Sequence, residues 1–310
     1  MARVMMAPMA RGRFIAIGAI ALVSASVLTG CDWRVESEPE AFRTPSAMTV
    51  LRDDVAAAES ALLTAATATS GDLGEAEAEA VPIRLDALGG VSPTSSPRPS
   101  ADFAAAFNAA LASARQCVQA AGDDPLGSLC ASIELSHWAI AAASGTSVQA
   151  DIAPDAGLVP GTTTSVGGDA LAQLALEHDK ARALYEVSAA RAAGSERTEA
   201  LARSAEHRER AAALLALPGV ADLTQPAYNV PAASTTNRAA RMAAARDTEV
   251  GLAQSYSALL VTASAADRGW LANAALTAYV AAAAHGLTPA DVPALPGAIE
   301  PSASPSASAG

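Results

Sequence analysis

Roughly a quarter of this 310-residue chain is alanine, while Phe, Trp and Tyr together supply 4% of it. Alanine is the strongest helix former, and a chain poor in β-branched and aromatic side chains lacks what a pleated sheet packs with. The fold class expected is therefore all-α, with small side chains bringing the helices close. Doubly wound and all-β arrangements are excluded on the same ground. The formal net charge of −12 argues against a nucleic-acid partner, which would need a basic face.

Arg3, Arg11 and Arg13 precede an apolar run from Phe14 to Leu28. As a helix this run is about 22 Å long, short of the roughly 30 Å core of a bilayer. A basic start, a short apolar stretch and small residues before a break have the layout of a secretory signal over residues 1–30. The break reads Leu28-Thr29-Gly30-Cys31 and resembles the lipobox of bacterial lipoproteins. The resemblance implies cleavage after Gly30, lipidation of Cys31 with palmitate-type chains, and a lipid anchor on the extracytoplasmic face of the cell membrane. Two acyl chains hold a protein stably where one would be marginal. An ordinary secreted protein, or an uncleaved anchor in which Cys31 is incidental, is the other reading. Residues 31–46 then form the lipidated cysteine and its tether.

With Cys31 set aside, Cys117 and Cys130 remain, an even pair suited to an oxidising compartment. They flank the turn Gly122-Asp123-Asp124-Pro125 symmetrically, so in an antiparallel helical hairpin they sit at one height. A disulfide is expected, with two buried free thiols as the alternative.

Apolar spacing and stop residues divide the rest of the chain. Helices are expected over 46–69, within 74–88, over 102–121 and over 126–143, giving an N-terminal helical domain at 47–143. Residues 144–168, rich in Gly, Ser, Thr and Pro, read as a linker. Four longer helices follow over 170–193, 196–217, 235–263 and 267–285, with Asp169 and Ser195 as N-caps of the first two. Their short, long, short connections match a ferritin-like four-helix bundle over 169–287. Residues 288–310 read as a disordered Pro/Ser/Ala tail.

Within that second set, EHDKARALY, AEHRERAAALLAL, the YNVP loop and TEVGLAQSYSALL resemble the actinobacterial ferritin-like domain family DUF4439. The resemblance covers Asp169 to Gly286. It implies the bundle fold and an envelope location, and no activity.

A di-iron bundle needs Glu from two helices and Glu-x-x-His from the other two. Glu177 and His178 are adjacent, and position 180 is Lys; Glu206 and His207 repeat the pair, and position 209 is Glu. The stripe Leu171, Leu174, His178, Ala181, Tyr185 turns His178 inward and leaves Glu177 at its edge. Glu249 falls inside the stripe of Met242, Ala245, Leu252, Tyr256 and Leu259. The last helix has no Glu, and His285 stands in its final turn. Two readings stay open. In one, Glu177, His178, Glu206, His207 and Glu249 form hydrogen bonds and ion pairs with Arg182, Arg208 or Arg246. In the other, His178, His207 and Glu249 hold one transition-metal ion of the kind zinc exemplifies. Glu134 and His137 make a single Glu-x-x-His, with His137 read as a packed or surface residue. No GxSxG, P-loop, HExxH or CxxC occurs, so no catalytic residues are assigned. The function expected is a non-catalytic binding or scaffolding module with an envelope protein partner. A degenerate ferritin-like metalloprotein, or an alanine-lined chamber for a small ligand, stands beside it.

Overall fold

The computed structural model describes residues 44–93, 102–146, 153 and 156–298. The signal segment, Cys31 and nearly all of its tether lie outside the described residues. The fold is all-α, with no strand among the described residues. Its helices are α1 (Ala47–Thr67), α2 (Asp72–Ala87), α3 (Phe103–Ala121), α4 (Pro125–Ala143), α5 (Gly168–Arg191), α6 (Gly194–Leu215), α7 (Arg238–Leu260) and α8 (Ala265–Ala284). No described helix is long and apolar enough to cross a membrane.

Several starts are written in the local sequence. Ser46, Asp102, Asp124 and Asn237 each accept a hydrogen bond from a backbone N–H in the first turn of the helix they precede. Two expected caps are corrected. α5 begins at Gly168 and α6 at Gly194, so Asp169 and Ser195 lie inside their helices. α5 begins early where its backbone meets the turn after α6: a Cβ on Gly168 would lie 2.5 Å from the Gly219 carbonyl oxygen.

Cys117 on α3 and Cys130 on α4 are joined in a disulfide with their Cα atoms 6.0 Å apart, within the range such a bridge spans. α1 packs on α2 and α3, and α3 packs on α4. In the second set α5 lies along α6 and α7, and α7 lies along α8. The connections are short at 192–193, long at 216–237 and short at 261–264.

The two helix sets, whose packing against each other the sequence leaves open, share a core. α4 packs along α8, and one apolar cluster runs from Ala131, Leu135 and Ile140 of α4 to Leu271, Ala274 and Leu276 of α8 and on to Leu252 and Tyr256 of α7. α8 is apolar on most of its circumference because it has neighbours on both sides. Within the segment read as a linker, Ala153, Thr164 and Ser165 are held on α8. Asp267 of α8 accepts from Thr164 Oγ1 at 2.7 Å, Ser165 N at 2.7 Å and Ser165 Oγ at 2.6 Å, and Asn273 bonds both the N–H and the carbonyl of Ala153.

The expectation of a disordered tail from residue 288 is corrected for its first part. A 3-10 turn at Pro289–Asp291 leads to a segment that lies on the helices, with Val292, Ala294 and Leu295 buried. Its proline content hides this from a search for periodicity, because its order comes from donors on α2 and α4. Residues 299–310 lie outside the described residues.

Candidate functional site

The inward stripes of α5, α6 and α7 meet in a buried polar network. Glu249, His178 and His207 are each 0% exposed. Glu249 Oε1 accepts from Arg203 Nε at 2.7 Å, from the Tyr185 hydroxyl at 2.8 Å and from His207 Nε2 at 3.1 Å. Its Oε2 accepts from Arg203 Nη2 at 2.6 Å. The guanidinium thus grips the carboxylate in two parallel bonds, the strongest geometry this pair has.

Hydrogen-bond logic fixes the histidine tautomers. A carboxylate only accepts, so His207 Nε2 carries a proton and donates to Glu249. Burial, ahead of any charge, pushes both histidines below the ordinary imidazole value, so both are neutral at pH 7. His207 Nδ1 is then a bare acceptor, and His178 Nδ1 donates to it across 2.9 Å. His178 Nε2 in turn accepts from the Tyr256 hydroxyl at 2.6 Å. A one-way chain runs from Tyr256 through His178 and His207 to Glu249. Burial raises Glu249, but the Arg203 bonds and the His207 bond outweigh it and hold the carboxyl far below the usual range. Burial, followed by the charge of Glu249, pushes Tyr185 well above its ordinary value.

The five candidate residues divide. His178, His207 and Glu249 come together; the stripes of α5 and α7 place His178 and Glu249 inside, and the packing of α6 adds His207. Glu206 is exposed and pairs with Arg203, and Glu177 is half-buried outside the cluster, with Gln173 donating to its Oε1. The cation expected beside the carboxylates is corrected: Arg182 pairs with Asp179 and Glu186, Arg208 with Glu186 and Arg246 with Asp247, while Arg203 holds Glu249. A metal ion would need His178, His207 and Glu249 to turn lone pairs toward one point. Here those lone pairs and protons are spent on one another and on a guanidinium, which an ion would have to displace. Among the described residues no three His, Cys, Asp or Glu side chains are grouped to hold an ion.

The network touches an opening. Tyr185, Arg203 and His285 line a cavity of about 500 Å³ between α5, α6, α7 and the end of α8, with Met242 and Ala281 on its apolar wall. His285 Nε2 lies 3.3 Å from the Tyr185 hydroxyl.

A second buried cluster escaped the sequence reading. Of the two places open to His137, packed or surface, it takes the packed one: it is 0% exposed, as are Glu59, Glu77 and Arg84. His137 Nε2 lies 2.7 Å from Glu59 Oε1 and its Nδ1 lies 3.0 Å from Glu77 Oε1. Arg84 Nη1 donates to Glu77 Oε2 at 2.7 Å. Glu134, the other half of the Glu-x-x-His, turns away to Arg115. The missed signal is Glu59 itself, four residues after Val55 and three before Leu62, on the inward face of α1.

No protein-family model, curated protein or solved structure matches this chain.

Proposed function

We propose that this protein is a lipoprotein anchored through Cys31 to the extracytoplasmic face of the cell membrane. There it acts as a non-catalytic binding or scaffolding module, its second helix set being a ferritin-like bundle of the DUF4439 type. The observation that carries this reading is the paired grip of Arg203 on Glu249. It makes the central carboxylate of the bundle a counter-ion rather than a ligand or base. The short, long, short connections of α5 to α8 support the ferritin-like assignment. The disulfide between Cys117 and Cys130 supports an oxidising compartment. The partner expected is another envelope protein, and no cofactor enters the scheme.

Two measurements test it. Labelled palmitate should enter the full chain in the membrane fraction and be lost in Cys31→Ser; label retained by that variant overturns the anchor. Elemental analysis after exposure to iron, zinc and manganese should find no stoichiometric metal. One equivalent of metal, lost on replacing His178 or His207, would instead establish the single-ion metalloprotein.

A further inference from the structure

The C-terminal segment is held in an unusual way. Among the described residues its only backbone-to-backbone bond after Val292 runs from Ala298 N to Leu295 O, and Pro293 and Pro296 have no N–H to offer. Its carbonyls are instead taken by side chains of α2 and α4. Arg84 Nε donates to Ala294 O at 3.2 Å, Ser136 Oγ to Pro293 O at 2.9 Å and Ser132 Oγ to Pro296 O at 2.7 Å. Leu295 enters a pocket formed with Val55, Leu88, Ile133 and the disulfide. Gly297 lies so close to α7 that a Cβ there would stand 2.0 Å from the Ser257 carbonyl oxygen. The segment is seated like a bound peptide.

Arg84 holds this seat twice. It bonds Ala294 directly, and through Nη2 it donates to Ser136 Oγ at 2.8 Å, the same hydroxyl that donates to Pro293. Its remaining nitrogen, Nη1, faces the charge cluster of Glu59 from α1, Glu77 from α2 and His137 from α4. The further charges near this cluster are Glu134 on α4 and its partner Arg115 on α3. The cluster has two proton states with different bonding. When His137 is charged, both its nitrogens donate, one to each carboxylate, and two cations balance two anions. When it is neutral, Nε2–H still bonds Glu59, but Nδ1 becomes an acceptor aimed at Arg84 Nη1, 3.0 Å away. One net negative charge is then left in a sealed core, and the Arg84 guanidinium, the one cation remaining, serves both carboxylates and Nδ1 in competition with its bonds to the strap.

We propose that Pro293–Ala298 is a releasable strap, latched on Arg84, whose hold weakens when His137 loses its proton. Burial and the Arg84 charge lower the His137 proton affinity, while Glu77 and Glu59 raise it by more, so the latched state extends above the ordinary imidazole range. Release uncovers the Leu295 pocket. It also removes one wall of a cavity of about 620 Å³ between α2 and α7, of which Ile83, Gln254 and Tyr279 form part of the rest.

The test is limited proteolysis of the full chain with proteinase K, reading cleavage within 293–298 by mass spectrometry against a free peptide of that sequence. When cleavage is slow relative to closing, it reports the open population. The normalised rate should climb about tenfold or more from pH 6 to pH 9, with α8 uncut. In His137→Gln the rise should be absent. A wild-type rate independent of pH, or an unchanged rise in His137→Gln, overturns the latch. Should His137→Gln lose its helical circular dichroism, Ser136→Ala decides. It breaks the second tie without altering charge, and should speed strap cleavage in a chain that keeps its helices; an unchanged rate there overturns the proposal.

Discussion

Glu249 is an anion with no access to water, so its charge is tolerable only while Arg203 stays in place. Arg203→Met should cost about 3 to 5 kcal/mol in urea denaturation, because it strands a buried charge. Adding Glu249→Gln should recover part of that loss, and a double variant no better than the single would remove the pair from its central place. The histidines separate by sign. His178 and His207 have lowered proton affinities when folded, so below about pH 6.5 the unfolded chain binds more protons. Their contribution is complete above that pH. It is lost as pH falls toward the folded values, by up to about 1.4 kcal/mol per pH unit for each histidine. His137 works in reverse: its contribution is complete below about pH 6.5 and is lost as pH rises through its raised folded value. Urea melts from pH 5 to pH 9 should therefore show the acid slope flattened in His178→Asn/His207→Gln and the alkaline slope flattened in His137→Gln. The stripe containing Leu171, Leu174 and Tyr185 was enough to place His178 inside, and the same spacing placed Glu249. Arg203 was not legible, since α6 has Ala on several faces and its phase is set only by the helices around it. Glu59, Glu77 and Arg84 were hidden for a related reason: an alanine-rich helix leaves room for a long polar side chain to turn inward, and only the partners on other helices show that it does.

Two glycines show how element positions depend on backbone approach. Gly168 starts α5 with its Cα facing the Gly219 carbonyl, and a Cβ would stand 2.5 Å from that oxygen with no flexible side chain to give way. Gly168→Ala should therefore cost about 1 to 3 kcal/mol, the usual range for overpacking. Gly251, inside α7, meets nothing within 4 Å of its added Cβ. Gly251→Ala should instead stabilise by up to about 1 kcal/mol through backbone entropy and helix propensity. Thermal melts of the two variants should move in opposite directions, and a fall in both would show that α7 does not have the room described. At this scale the sequence was informative about where helices lie, because Gly, Pro and capping side chains act locally. It was less informative about their first residues: Asp169 and Ser195 had the chemistry of caps, and the chain entered each helix before reaching them.

At the scale of the molecule, the joint between the two helix sets has the largest consequence. Composition over 144–168 argues for a linker, and nothing local reveals that Asp267 holds Ser165 and Asn273 holds Ala153. Nor does any single helix announce that α8 has neighbours on two sides. Its near-continuous apolar surface is the one hint, and periodicity alone cannot distinguish a helix at the centre of one bundle from a helix shared by two. The shared core makes a thermodynamic prediction. If α4 and α8 join the sets, neither can unfold without exposing apolar surface on the other, including Leu135, Ile140, Leu271 and Leu276, all at most 1% exposed. Calorimetry of the full chain, with the disulfide intact, should show one transition whose calorimetric and van't Hoff enthalpies agree. Two resolved transitions would mean that the sets fold independently. The interface itself is tested by Leu276→Ala, which should cost about 2 to 5 kcal/mol for a buried leucine and lower the single transition as a whole. Were the sets independent, that variant would lower one transition and leave the other where it was.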